Sequence, residues 1–134
     1  MKKTALTAPL LLFGFLLFAS DTRLASAVGP GRSDLGAASY EADRDKDGNV
    51  DHRIFNDTKG RKVYEEYDYN YDGRMDDLYY YKDGQLDREE IDSDFNGQVD
   101  IWITLYLGKY IRRIEQDKDG DGKPDAVTDY DKKK

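Results

Sequence analysis

The sequence predicts an all-β protein, an antiparallel meander of tandem β-hairpins with acidic loops along one edge of the sheet. Three observations predict it. An acidic nonamer recurs at a nearly constant interval, the segments between the copies are rich in β-branched and aromatic residues, and a glycine turn divides each of those segments.

The nonamers are "DRDKDGNVD" (43–51), "DYNYDGRMD" (68–76), "DSDFNGQVD" (92–100) and "DKDGDGKPD" (117–125), and their first residues lie 25, 24 and 25 positions apart. Every copy has Asp at position 1, Asp or Asn at positions 3 and 5, Gly at 6 and Asp at 9. A run of charge that is merely solvated has no reason to keep such a register.

Each loop leads into a strand pattern: "VDHRIF" (50–55), "MDDLYYY" (75–81), "VDIWITLY" (99–106) and "PDAVTDY" (124–130). The first three then meet glycine turns, "TKGR" (58–61), "KDGQ" (82–85) and "LGKY" (107–110). Return strands "VYEEYD" (63–68), "LDREEID" (86–92) and "IRRIEQD" (111–117) run into the next loop. No stretch among them shows the 3.6-residue spacing of a helix. The acidic loops then lie on one edge, two strands apart, or about 10 Å. A mean hydropathy of -0.88 and 11 tyrosines predict a thin, aromatic core in a single-layer or shallowly rolled sheet.

The domain organisation follows from the flanks. Residues 1–27 read as a signal peptide, with Lys2 and Lys3 before an apolar stretch and "ASA" (25–27) as a cleavage site after Ala27. Residues 28–39 are a flexible linker, 40–131 the four-repeat domain and 132–134 a basic tail. The expected localisation is secreted or periplasmic, with no membrane span after cleavage. Of 21 basic and 28 acidic residues, the leader removes Lys2, Lys3, Arg23 and Asp21, which leaves a net charge of about -9. That balance excludes nucleic acid as a partner and favours cations. With no cysteine in the chain, a small exported domain needs a staple other than a disulfide, and a bound metal supplies one.

The loop pattern suits calcium, a hard cation that takes six to eight oxygens. Position 1 offers Asp43, Asp68, Asp92 and Asp117; position 3 offers Asp45, Asn70, Asp94 and Asp119; position 5 offers Asp47, Asp72, Asn96 and Asp121. Position 9 offers Asp51, Asp76, Asp100 and Asp125, while Asn49, Arg74, Gln98 and Lys123 at position 7 offer backbone carbonyls. Up to four Ca2+ ions are expected. Loops 1 and 4 carry four carboxylates, whereas Asn70 and Asn96 leave three in loops 2 and 3, so the loops are expected to bind unequally. An EF-hand is excluded, because its chelating Glu at position 12 is replaced by Ile54, Tyr79, Ile103 and Thr128 and its helices are missing.

"DGDGKPDAVTD" (119–129) resembles the loop-then-strand signature of bacterial extracellular FG-GAP/VCBS-type repeats, in which a D-x-D-x-D-G-x-x-D turn binds calcium. The resemblance implies Asp117, Asp119, Asp121 and Asp125 as side-chain ligands and Lys123 as a backbone ligand. It covers the loops and the strands that follow them. FG-GAP propeller blades are longer than this period, so four short units fit an open hairpin array better.

Read together, these features describe an exported calcium-binding repeat protein in which the ion is structural and the sheet is a surface or periplasmic interaction module, with a protein or glycan partner. The alternative is a calcium-dependent carbohydrate-binding module, with Trp102 and Tyr79 to Tyr81 available for stacking on sugars. A hydrolytic enzyme is disfavoured, since no Ser/His, Cys/His or isolated acid pair stands out, and no catalytic residue is assigned. His52, the one histidine, reads as a surface strand residue. Glu41, Glu66, Glu90 and Glu115, each two residues before a loop, read as pairing with basic groups across the hairpins.

Overall fold

The computed structural model describes residues 35–130. The leader, most of the linker and the lysine tail lie outside the described residues. Eight strands follow one another: β1 (Tyr40–Ala42), β2 (His52–Asn56), β3 (Lys62–Tyr67), β4 (Asp77–Lys82), β5 (Gln85–Ile91), β6 (Ile101–Tyr106), β7 (Tyr110–Gln116) and β8 (Ala126–Asp129). They form one sheet in sequence order, and every neighbouring pair is antiparallel. The meander expected from the repeat is therefore the observed architecture, with β1 as an added edge strand. At the end of the expected linker, the Ser39 amide and hydroxyl both donate to the Ile54 carbonyl, which ties that residue to the sheet.

Two kinds of connection alternate. Turns on one edge are short: Asp83 and Gly84 join β4 to β5 with φ of 52° and 77°, the left-handed pair that suits a two-residue hairpin. Shortly before each such turn the register slips by a bulge, between Phe55 and Asn56, Tyr80 and Tyr81, and Thr104 and Leu105. These are equivalent positions of three repeats, so the repeat governs the irregularity as well as the strands. The nonamer loops occupy the opposite edge.

With a single layer, each face must cover itself. The register places Arg53, Phe55, Tyr64, Glu66, Leu78, Tyr80, Arg88, Glu90 and Trp102 on one face, and His52, Glu65, Tyr67, Asp77, Tyr79, Glu89, Ile101 and Ile103 on the other. Among the described residues, Phe55 and Tyr64 are the buried apolar ones, while Glu66, Asp51 and Asp76 are buried more deeply than either. The covering is done by long side chains whose apolar stems lie along the sheet and whose polar ends meet one another.

Glu65 shows how. Its Oε1 accepts from Tyr67 (2.9 Å) and lies 2.9 Å from His52 Nε2; its Oε2 accepts from Lys62 Nζ (2.6 Å) and Tyr81 (2.9 Å). Burial pushes this carboxyl up, but the contacts from Lys62, His52, Tyr67 and Tyr81 outweigh it and hold the group at about 2. His52 is correspondingly buried and stacked on Tyr67, 4.0 Å between ring centroids. The expectation of a surface histidine is corrected: a flat ring between two strands is covered by its aromatic neighbour and its Glu65 contact. On the other face Glu66 accepts from Arg53 (2.9 Å) and Tyr64 (3.0 Å), and Arg53 also reaches Glu41 (3.1 Å). Arg88 and Arg113 stand 3.3 and 3.6 Å from Glu90 and Glu115. These glutamates do pair with basic groups, across the β2 hairpin for Glu66 and along the same strand for Glu90 and Glu115.

Asp77 is less well served. Its Oδ1 is buried without a partner while Oδ2 accepts from Tyr79 at 2.7 Å. Burial, followed by the charges of Glu89 and Asp76, raises its carboxyl to about 6 despite the Tyr79 bond.

Since Glu65 titrates below the ordinary carboxylate range in the folded chain, its ionised form stabilises the fold above about pH 4.5, and that contribution is lost as pH falls toward 2. Glu65→Gln is expected to cost about 1–3 kcal/mol at pH 7. The deficit should shrink toward zero near pH 2 in urea titrations of both proteins, and a pH-independent deficit would refute the charged role.

Candidate metal centre

Each loop is wound by its own carboxylates. At position 1, Asp43 accepts the amides of Lys46 (2.7 Å) and Gly48 (3.0 Å), and Asp68 those of Tyr71 (2.7 Å) and Gly73 (2.8 Å). Asp92 accepts from Asn96 (3.1 Å) and Gly97 (2.6 Å), and Asp117 from Gly120 (2.8 Å) and Gly122 (2.6 Å). At position 9 the acid reaches back to the amide of position 2: Asp51 to Arg44 (2.5 Å), Asp76 to Tyr69 (2.7 Å), Asp100 to Ser93 (3.0 Å) and Asp125 to Lys118 (2.7 Å). Positions 3 and 5 each cap the amide two residues on, as in Asp45 to Asp47 (3.0 Å) and Asp47 to Asn49 (2.7 Å).

This winding needs two left-handed residues per loop, at positions 4 and 6. Gly48, Gly73, Gly97 and Gly122 supply the second with φ of 82–98°, as the sequence indicated. The first is Lys46 (φ 67°), Tyr71 (62°), Phe95 (60°) or Gly120 (75°). Sequence reasoning missed this requirement. Gly120 was its one visible trace, because the other three loops hold a side chain there at a steric cost of about 1–2 kcal/mol.

The winding gathers carboxylates. Asp43, Asp45 and Asp51 bring ligand oxygens within 4.8 Å of one another, as do Asp92, Asp94 and Asp100, and Asp117, Asp119 and Asp125. These are positions 1, 3 and 9 of loops 1, 3 and 4. Loop 2 places Asp68 and Asp76 equivalently but has the amide Asn70 at position 3. The carboxylate count treats loops 2 and 3 alike, whereas the geometry separates them: the amide of loop 3, Asn96, stands at position 5, outside the triad. Asp47, Asp72 and Asp121 at position 5 also fall outside the grouped acids. Asp47 accepts both the Asn49 amide and its Nδ2 (2.7 Å each). At position 7 the amides of Asn49, Arg74, Gln98 and Lys123 are held by position 5.

Desolvation and neighbouring charge oppose the backbone amides at these acids, and the balance differs from one to the next. Asp45 is pulled down by the Asp47 amide, yet desolvation and the charges of Asp47, Asp51 and Asp43 leave it raised. Asp76 is raised by burial and by Asp68 and Asp72 against the amides of Tyr69 and Asn70. Asp117 is pushed up by desolvation, but the amides of Gly122, Gly120, Asp119 and Asp121 bring it below the usual range. Among the described residues, three oxygen-only triads could hold a metal ion.

Successive loops are joined edge to edge. The amide of each later position 1 donates to the carbonyl of the preceding position 9: Asp68 to Asp51 (2.8 Å), Asp92 to Asp76 (2.7 Å) and Asp117 to Asp100 (2.9 Å). The hydroxyls of the tyrosines considered for sugar stacking have partners within the sheet: Tyr79, Tyr80 and Tyr81 donate to Asp77, Glu90 and Glu65.

The chain matches no family model, no curated protein and no solved structure.

Removing a position 1 carboxylate should unwind its own loop and spare the rest. Asp92→Ala is expected to speed amide hydrogen exchange at Gly97 by about tenfold or more, the equivalent of losing a charged hydrogen bond of roughly 1.5–3 kcal/mol. Gly48 should keep its rate in NMR exchange spectra; equal acceleration of both would mean that the loops do not close independently.

Proposed function

We propose that the chain is an exported calcium-binding repeat protein whose ions are structural, with the sheet acting as an interaction module at the cell surface or in the periplasm. The observation that carries this reading is the periodic placement of oxygen triads from positions 1, 3 and 9 along one edge of the sheet. A single acidic cluster has many explanations; repetition in register, on loops already wound by their own carboxylates, favours a cation as the common purpose. Calcium is favoured over magnesium because it accepts many oxygens in irregular geometry, whereas magnesium holds its waters and demands an octahedron. The likeness of the loops to FG-GAP/VCBS-type turns supports the same ion. The signal-peptide pattern of residues 1–27 supports export.

A structural role follows from the thin covering of the sheet. With two buried apolar side chains among the described residues and no cysteine in the chain, ion binding contributes directly to folding free energy. Position 5 side chains and position 7 carbonyls would complete each coordination sphere, the former by turning one oxygen inward. Loop 2, with Asn70 in the triad, is the weakest site.

Two measurements test this. Far-UV circular dichroism with calcium and with excess chelator should differ, the strand signal and the melting temperature both falling without the ion; identical melts would refute a structural ion. Terbium luminescence should report loop 2 through Tyr69 and Tyr71, which lie within it and are about half exposed. Asn70→Asp completes a fourth acidic triad and is expected to shift that titration to lower terbium, while Asp72→Ala weakens it and leaves loop 1 unaffected. Weaker binding by Asn70→Asp would mean that repulsion among the carboxylates exceeds their attraction for the ion.

A further inference from the structure

The two ends of the sheet are unlike and complementary. Strands that follow a loop (β2, β4, β6, β8) alternate with strands that precede one (β1, β3, β5, β7). Each of β2, β4 and β6 pairs on its far side with the loop-preceding strand of the next repeat in one register, Arg53 opposite Glu66, Leu78 opposite Glu90 and Trp102 opposite Glu115. Among the described residues, β8 has no such neighbour, and β1 is a loop-preceding strand with no loop-following strand beyond it. We propose that β8 of one copy pairs with β1 of a second copy, so that the protein associates with itself head to tail through its two edges.

The internal register fixes the joint. Val127 is the counterpart of Arg53, Leu78 and Trp102, and Glu41 is the counterpart of Glu66, Glu90 and Glu115, so Val127 stands opposite Glu41 of the second copy. Ala126 then meets Ala42, and Thr128 meets Tyr40. The backbone agrees. Tyr130 N–H donates to the Arg112 carbonyl at 2.8 Å, and alternation along the strand turns the amides of Val127 and Asp129 toward the open edge. The Asp51 amide donates to the Ala42 carbonyl at 2.9 Å, which points Ala42 into the sheet and Glu41 outward. Val127 and Glu41 thus turn their backbone groups away from every strand among the described residues, toward the joint.

The loop edge presents the same open pair. Three position 1 amides meet the carbonyl of the previous position 9; the amide of Asp43 and the carbonyl of Asp125 are the counterparts at the two ends, and the joint brings them together. Side chains present no obstacle. Val127 against Glu41 repeats the apolar-against-glutamate pairing of Leu78 and Trp102, and Glu41 already has Arg53 at 3.1 Å. Such contacts are heterologous: every added copy exposes the same free edge, so growth does not stop at a dimer. A joint of three or four residues makes the association concentration-dependent.

The chain has no cysteine, so engineered thiols report the joint alone. Ala42 and Ala126 would form a non-hydrogen-bonded pair with Cα atoms about 4.5 Å apart, within disulfide reach. Inside one chain β1 and β8 are seven strand spacings apart, roughly 30 Å. Oxidised in calcium-containing buffer, Ala42→Cys mixed with Ala126→Cys should give covalent dimer at about ten times the yield of either alone. A chain carrying both substitutions should give a ladder of oligomers on a non-reducing gel. Dimer from either single variant at the yield of the mixture overturns the proposal, as does a doubly substituted chain that stays monomeric with the wild-type dichroism. Sedimentation velocity of the unmodified protein is the second measurement, independent of variant folding. Mean mass should rise with concentration past that of a dimer, and a monomer at all concentrations, or a plateau at dimer, overturns the proposal.

Discussion

The carboxylate at the head of each loop is the constraint on which the rest depends. By accepting two amides of its own loop, one of them from the glycine at position 6, it holds the backbone through two left-handed residues and delivers the chain into the next strand at a fixed place. The same act brings positions 1, 3 and 9 together. Winding and the gathering of carboxylates are therefore not separate properties of the loop. The residues that make the turn are those that crowd negative charge, and desolvation together with that crowding raises the Asp45 and Asp76 carboxyls.

Once the loops fix the edge, the sheet must stand without a second layer. It does so by laying aromatic rings and aliphatic stems over the strands and closing their polar ends on glutamates. Glu65 and Glu66 occupy adjacent positions of β3 and face opposite sides, so one short stretch anchors both coverings. Their partners come from β2, β3 and β4, which makes cross-strand pairing the unit of stability. A conventional aliphatic core would require a second element to bury it, and the described residues contain none.

Much of this was legible in the residues. The four nonamers and the glycine turns stated the meander, its strand order and the loop edge, because period and turn chemistry are local signals. The candidate ligands were legible as a set, and their grouping was not: Asn70 and Asn96 look equivalent in a count of charges, yet only Asn70 occupies a triad position. The left-handed conformation of Lys46, Tyr71 and Phe95 was hidden because those residues do not advertise it. His52 was misjudged for another reason. Its burial depends on Tyr67 and Glu65, residues brought alongside by the pairing of β2 with β3, and one strand read alone does not reveal its neighbours.

Burial along the sheet is uneven in a way that bears on how the molecule comes apart. The buried strand residues lie on β2, β3 and β4, whereas β1 and the run from β5 to β8 have none, and β8 is exposed along most of its length. In a single layer each strand touches only its neighbours, so the molecule behaves as a one-dimensional zipper, tight from β2 to β4 and loose on either side, with the longer loose run toward β8. Along that longer run, peeling starts at β8 and travels inward strand by strand. The last loop, bounded by that strand, thus loses its shape before the two loops inward of it when the sheet is pulled, warmed or starved of whatever holds its loops closed.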